Sequence, residues 1–221
     1  MADENKENDS FVTEINEELR QENYEKLWKS YGKYLIAGAV LFVFSVAGFQ
    51  GWKSYSTEKK ENESKLFSKA LKDIEGERFN EASAVLTHLA DNATSGYATL
   101  ARLNRAALIA KTGTKKSSAE AYLFISNDTT VDKTFRDLAL LLSAMQELDD
   151  GNTNEITTRI ELLIKSNNPW RHSAKEILGI LMEKEGKNSK AKQLFKELAD
   201  DVTAPANIRA RAAEYLMILG S

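Results

Sequence analysis

Residues 167–200 read NNPWRHSAKEILGILMEKEGKNSKAKQLFKELAD and contain two helical patterns on either side of Gly186. In the first pattern, apolar side chains recur every three or four residues and so share one helix face; they are Trp170, Ala174, Ile177, Leu178 and Leu181. The second pattern has the same spacing, at Ala191, Leu194, Phe195 and Leu198. Glycine can take the left-handed conformation that ends many helices. The stretch therefore predicts two antiparallel helices joined by a tight turn.

The same arrangement precedes this stretch three times. The turn glycines, which recur at intervals of about 36 residues and are each expected to be left-handed, are Gly76, Gly113, Gly151 and Gly186. The earlier first helices carry the stripes Phe67, Ala70, Leu71 and Ile74; Tyr97, Leu100, Ala101 and Leu108; and Phe135, Leu138, Ala139 and Leu142. The earlier second helices carry Ala82, Val85, Leu86 and Leu89; Ala119, Tyr122 and Leu123; and Ile156, Ile160 and Leu163.

A closing helix follows the fourth pair. Pro205 suits the first turn of a helix, and the apolar positions through Leu219 fit one face; they are Ile208, Ala212, Tyr215, Leu216 and Leu219. Only one other proline, Pro169, occurs in the chain, so the helical stretches are uninterrupted. The sequence predicts an all-α fold in which residues 64–221 form an α-solenoid of about four helix pairs plus a closing helix.

The fourth pair resembles a tetratricopeptide repeat, whose length is about 34 residues. Its Leu-Gly, turn-glycine, alanine and aromatic positions correspond to Leu178-Gly179, Gly186, Ala191 and Phe195. The other pairs are degenerate, because Ala82 lies one residue further from its glycine and Ile156 replaces the small alanine. This resemblance implies a curved stack whose concave face meets a peptide or another domain. A solenoid that serves only as a spacer is the alternative.

Residues 34–52 read YLIAGAVLFVFSVAGFQGW and carry no charge. As a helix they would span roughly 28 Å, close to the ~30 Å of membrane hydrocarbon. The predicted anchor residues, which are large and apolar or aromatic, are Tyr34, Leu35, Ile36, Leu41, Phe42, Phe44, Phe49 and Trp52. A buried core helix would carry a polar stripe, and a signal peptide would be shorter and end in a cleavage site. We therefore predict an uncleaved transmembrane helix.

Three segments flank this span. Residues 1–10 are polar and predicted to be a disordered tail, residues 11–33 form an amphipathic juxtamembrane helix, and residues 53–63 form a helical linker. Within about 20 residues of the span, four Lys or Arg precede it and six follow it. Taken alone, this count favours a cytoplasmic C-terminal domain, although the rule weakens when a long domain follows.

The sequence offers little for catalysis. It has no cysteine, which excludes disulfides, thiolate metal sites and cysteine nucleophiles. His88 and His172 lie in different pairs, and neither has a metal-ligand spacing. The acidic pairs Asp149-Asp150 and Asp200-Asp201 are interpreted as solvated loop residues. The net charge of −3 does not favour nucleic acid. We expect a protein that is no enzyme and has no cofactor or metal; a membrane-tethered enzyme is the disfavoured alternative.

The whole arrangement resembles the bacterial YfgM-like family, most closely in KYLIAGAVLFVFSVAGFQGWKSY (33–55) and GYATLARLNRAALIAKTG (96–113). The resemblance implies an ancillary subunit of the SecYEG translocon that associates with translocon subunits and periplasmic chaperones. It implies a single-pass inner-membrane protein with a cytoplasmic N-terminus and a periplasmic repeat domain. Two readings remain beside it: an envelope scaffold or a coordinator of cell division or envelope assembly, and a regulator with a cytoplasmic domain.

Overall fold

The structure is a computed structural model that describes residues 4–165 and 167–220. Every regular element in these residues is a helix, and no strand occurs among them, so the all-α prediction is confirmed. The chain forms two compact units, residues 1–59 and residues 60–221.

Both units are built from helices in the described residues. Their bounds are α1 (Glu4–Glu75), α2 (Phe79–Asn92), α3 (Ser95–Thr112), α4 (Lys115–Asn127), α5 (Lys133–Glu147), α6 (Thr153–Glu161), α7 (Arg171–Lys184), α8 (Asn188–Asp200) and α9 (Ala206–Gly220). The end of α1 pairs with α2, and α3 with α4, α5 with α6 and α7 with α8 form the later pairs. Helix α9 follows as the predicted closing helix.

Helix α1 includes the stretches predicted as juxtamembrane helix, membrane helix and linker. It begins at Glu4, so the disorder expected for residues 1–10 is corrected from that residue on; residues 1–3 lie outside the described residues. The physical reason is that no proline and no glycine occurs before Gly32, and extending a formed helix costs little. Among the described residues, α1 is the one helix that is long and apolar enough to cross a membrane.

Four positions recur at identical intervals in every pair. A small residue of the first helix is Ala70, Ala106, Ala144 or Gly179, and the turn residue is Glu77, Gly113, Gly151 or Gly186. The second helix contributes Ala82, Ser118, Ile156 or Ala191, and then Leu86, Tyr122, Ile160 or Phe195. All eight second-helix side chains are at most 3% exposed. This register holds each pair together.

The left-handed conformation expected of all four turn glycines occurs only at Gly186, where φ is +73°. The following N–H, of Lys187, donates to the carbonyl of Met182 at 2.8 Å, which satisfies the helix end. The first pair makes the equivalent bond, but its left-handed residue is Glu77, with φ of +57°. The expectation for Gly76 is therefore wrong by one residue.

The expectation is also wrong for Gly113 and Gly151, which lie in turns without a positive φ. There the chain leaves the first helix through an extended residue whose side chain caps the second helix. Thr114 accepts from the N–H of Ser117, and Asn152 accepts from the start of α6 in the same way. An extended residue that caps the second helix therefore lets the chain reverse without any residue in the left-handed conformation.

In residues 60–221, first helices and second helices differ in the neighbours that they contact. Each second helix packs against the next first helix, in the combinations α2 with α3, α4 with α5, α6 with α7 and α8 with α9. First helices also contact each other, α3 with α5, α5 with α7 and α7 with α9, whereas the described residues give no contact between second helices. First helices therefore line the inner, concave side of the solenoid and second helices the outer side.

Candidate protein-binding face

An apolar strip runs along the inner side of the solenoid. It consists of the residue that follows the small residue in each first helix, and we call Leu71, Ala107, Met145 and Ile180 the inner strip. Each is rotated about 100° from the small residue that faces its own second helix. Leu71, Ala107 and Met145 are exposed, whereas Ile180 is half-buried against the core of the fourth pair. Leu71 is 37% exposed and Met145 is 49% exposed. These are apolar side chains available for contact.

Charged residues lie at the edge of the strip, at or just after the end of each first helix. The equivalent positions, which alternate in sign along the solenoid, are Glu75, Lys111, Asp149 and Lys184. Lys184 Nζ donates to the carbonyl oxygens of Leu148 and Asp149, which ties the third pair to the fourth. Lys115 Nζ lies 2.5 Å from Asp149 Oδ2 and lowers the pKa of that carboxyl. An apolar strip with a polar rim has the anatomy of a protein interface.

Polar side chains at one repeated position of the first helices bind the segment that opens the next pair. In the first pair this residue is Glu63, which is buried. Its carboxylate accepts from the N–H of Thr94 at 2.8 Å and from the Thr94 hydroxyl at 2.5 Å. Thr94 immediately precedes α3, so the contact satisfies an N–H at the start of that helix.

The third pair makes a corresponding link. Asp137 Oδ2 accepts from Asn168 Nδ2 at 2.8 Å, and Asn168 Oδ1 in turn accepts from the N–H of Trp170 just before α7. Trp170 Nε1 also donates to the carbonyl of Thr134 at 3.0 Å. These bonds fix α7 against α5.

The fourth pair uses His172, which is buried and lies 3.1 Å from Asp201 Oδ2. Asp201 also accepts from the hydroxyl and the N–H of Thr203, and these bonds, with a smaller contribution from His172, lower its pKa to about 2. Asp201 was expected to be a solvated loop residue. It is instead a structural acceptor, because the loop before α9 folds back onto α7.

A bidentate ion pair joins α9 to α7 on the inner side of the solenoid. Arg211 of α9 donates from Nε and Nη2 to the two carboxylate oxygens of Glu176, at 2.6 and 2.7 Å. Bidentate pairs of this kind fix orientation as well as distance. Together with the links at Glu63, Asp137 and His172, this pair sets the spacing between first helices, and therefore the spacing of the inner strip.

The predicted anchor residues all lie on α1 and point to open space. Tyr34, Leu35, Ile36, Leu41, Phe42, Phe44, Phe49 and Trp52 are between 55% and 74% exposed. A buried core helix would have them covered, so their exposure agrees with contact to lipid. The four predicted turn glycines lie in four separate turns and do not converge on a site.

The two histidines are not brought together in the described residues, and the acid and hydroxyl next to His172 are those of Asp201 and Thr203, which hold the loop before α9. His88 is exposed on α2, while His172 is buried on α7. Among the residues that the structure describes, no group of three or more His, Cys, Asp or Glu is placed to hold a metal ion.

The inner strip and the links between pairs were not predicted from the sequence. In an alignment of the repeats on their glycines, the displacement of Gly76 by one residue hides the common register. Aligning the first pair on Ala70 and Ala82 restores that register and identifies Leu71 and Met145 as equivalent positions.

A family model described as a tetratricopeptide repeat-like domain matches residues 25–212. The chain belongs to this family. The match begins before the apolar segment and ends within α9, so it includes the apolar segment 34–52 and the four helix pairs. No curated protein and no solved structure gave a significant match. Domains of this fold are typically non-catalytic surfaces for binding other proteins.

Proposed function

We propose that this chain is a membrane-anchored, non-catalytic module that binds other proteins through its inner strip. The observation that carries the proposal is the exposure of Leu71, Ala107 and Met145 at one repeated position of the first helices in the first three pairs. Burying the exposed part of a side chain such as Met145 or Leu71 is worth about 2 kcal/mol at ~25 cal/mol per Å². The links between pairs hold these residues in place before a partner arrives, which lowers the entropic cost of binding.

The anchor supports the membrane part of the proposal. Helix α1 exposes a row of large apolar side chains, including Phe42 and Trp52, that would be costly to leave in water. Tyr34 and Trp52 bound this row, and aromatic rings favour the headgroup level of a bilayer. One span would hold the repeat domain close to a membrane.

The partners we propose follow from the resemblance to the YfgM-like family. The chain would be an ancillary subunit of the Sec translocon in a bacterial inner membrane and would link the translocon to periplasmic chaperones. Its N-terminus would be cytoplasmic and its repeat domain periplasmic. The excess of lysines after the span opposes this orientation, so a reporter fused after Ser221, active in one compartment only, is the test of topology.

Photo-crosslinking in native membranes tests the partners. A photoreactive amino acid at Met145 should capture translocon subunits or chaperones. The matched control is Phe124, which is 72% exposed on α4, a second helix on the outer side, and should capture neither. Capture at Met145 of cell-division or envelope-assembly proteins alone would support the scaffold alternative and contradict the translocon proposal.

A further inference from the structure

Large apolar side chains are exposed at one edge of the solenoid, which we call the entry edge. The helices of a pair are antiparallel, so each second helix ends at the edge where the next first helix begins. The apolar side chains at this edge belong to three successive pairs and are 72%, 58% and 84% exposed; they are Phe124, Leu162 and Val202. Phe124 and Leu162 occupy the same register position, six residues after Ser118 and Ile156.

The opposite edge of the solenoid has a different character. It is formed by the turns inside the four pairs, and each turn exposes a charged side chain; these are Glu77, Lys115, Asp150 and Lys187. Charged turns are the usual solvated surface. Single exposed apolar residues are also common on soluble proteins. Three of them at one edge, opposite an edge of charged turns, indicate a contact surface.

The most exposed of the three side chains is held outward by an ordered turn. Val202 lies between Asp201 and Thr203, and Asp201 Oδ1 accepts from the N–H of Thr203 at 2.8 Å and from its hydroxyl at 2.7 Å. Asp201 Oδ2 lies 3.1 Å from His172 Nε2 of α7. These bonds satisfy polar groups of the turn within the protein, which lowers the cost of moving the turn out of water.

Helix α1 joins the solenoid at the same edge. Glu63 of α1 accepts from Thr94, which lies in the loop between α2 and α3, so the first pair begins at the entry edge. Glu63 comes eleven residues after Trp52, the last residue of the predicted span. Even a fully extended chain of that length reaches at most about 40 Å. The entry edge therefore stays near any bilayer that holds the span.

We propose that the entry edge contacts the lipid bilayer, with Phe124, Leu162 and Val202 entering the interface between headgroups and acyl chains. This inference rests on the membrane anchor of the proposed function. A bilayer accepts separate side chains without a matching pocket for each, whereas a protein partner would need one surface complementary to three different pairs. The anchor gives the edge a high effective concentration near lipid, so a few apolar side chains suffice. Lipid contact at Phe124 agrees with the absence of protein capture expected there.

Charges beside these side chains are of both signs. Lys165 follows Leu162 by three residues, and the exposed acids Glu161 and Asp200 lie at the same edge. Because acids accompany the lysine, attraction to anionic headgroups is not the source of the contact. Burial of apolar surface is the source. We therefore expect the same contact in vesicles of phosphatidylcholine alone and in vesicles with added phosphatidylglycerol.

Fluorescence quenching in reconstituted vesicles tests the proposal, because the chain has no cysteine of its own and a single introduced cysteine can carry the fluorophore. With the full chain in phosphatidylcholine vesicles, nitroxide-labelled lipid should quench the label at Val202→Cys and at Leu162→Cys. The matched control is Met217→Cys, which is 70% exposed near the end of α9, at the opposite edge, and should stay unquenched. Phe49→Cys reports insertion of the anchor and should be quenched.

A second substitution measures the contribution of one apolar side chain to the lipid contact. Val202→Asp should lower the docking equilibrium reported by the label at Leu162→Cys by about tenfold or more, because apolar burial is lost and a charge is desolvated. Met217→Asp should leave the quenching at Leu162→Cys unchanged. The substituted side chains are all exposed, so circular dichroism should show unaltered helicity in every variant.

The outcomes separate the lipid contact from the anchor. Quenching at Phe49→Cys, with no more quenching at Val202→Cys and Leu162→Cys than at Met217→Cys, would overturn the lipid contact and leave the anchor intact. No quenching at Phe49→Cys would overturn the anchor and the lipid contact with it. Protection of Val202→Cys from a water-soluble thiol reagent in native membranes, but not in lipid vesicles, would assign the entry edge to a protein partner and also overturn the proposal.

Discussion

The substitution Gly179→Ala tests the close crossing of α7 and α8. A Cβ at Gly179 would lie 2.7 Å from Phe195 Cζ, whereas ordinary van der Waals contact is 3.4–4 Å. The Phe195 ring would have to move by about 0.7 Å. It cannot do so freely, because it is fully buried and its ring stacks on Tyr215 with 5° between the planes.

The expected magnitude combines two opposing effects. Overpacking of a core costs about 1–3 kcal/mol, and alanine is favoured over glycine within a helix by about 1 kcal/mol. The net free energy of unfolding should therefore fall by about 1 kcal/mol for Gly179→Ala. The matched control is Gly96→Ala in α3, where the added Cβ meets nothing within 4 Å. That variant should gain up to about 0.5 kcal/mol, since the position lies in the first turn.

Thermal denaturation of the full chain in detergent, followed by circular dichroism, measures both changes. At about 2–4 °C per kcal/mol for a domain of this size, the two variants should differ in Tm by about 3–6 °C. Replacing Phe195 by Leu should remove part of the clash, so the double variant should be more stable than the sum of the single changes predicts. A Tm for Gly179→Ala equal to or above that of Gly96→Ala would refute the close-packing argument.

Three further predictions concern the turns, the links and pH. Glu77→Gly should raise the free energy of unfolding by about 1 kcal/mol in the same assay, because the left-handed φ at Glu77 is strained for a residue with a Cβ; a loss of stability would contradict this. Glu63→Ala should cost about 1–3 kcal/mol in urea denaturation, because the Thr94 N–H loses its acceptor, while exposed Glu61→Ala should change less than about 0.5 kcal/mol; equal effects would argue against the link. Asp201 has a folded pKa of about 2, below the ordinary 3.8, so its contribution is present above pH 3.8 and is lost as pH falls toward 2. Asp201→Asn should therefore have a smaller dependence of Tm on pH over that range, and an unchanged dependence would show that the hydrogen bonds of Asp201 do not stabilise the fold.

The number and order of helices could be predicted from the sequence. Apolar spacing of three and four residues identified each pair and the closing helix, since core burial depends on that spacing alone. The uncharged run in residues 34–52 identified the long exposed helix, because its length matches the hydrocarbon thickness of a membrane.

The turns and the links could not be predicted in the same way. A left-handed position is set by the register of the whole pair, so Glu77 occupies it although Gly76 is its neighbour. The contact between Glu63 and Thr94 joins residues on different helices, and nothing in local sequence indicates that the loop before α3 returns to α1. The burial of His172 and the role of Asp201 depend on a tertiary contact of the same kind.

Partner recovery from native membranes tests the central claim that the inner strip binds other proteins. Met145→Asp places a charge in the strip, where desolvation on binding would be costly, whereas Phe124→Asp places the same charge on the outer side. Co-purification after mild solubilisation should recover at least tenfold less partner with Met145→Asp than with the unaltered chain, and the same amount with Phe124→Asp. Unchanged recovery with Met145→Asp, or equal loss with both variants in chains of unaltered helicity, would contradict the assignment of the inner strip as the binding surface.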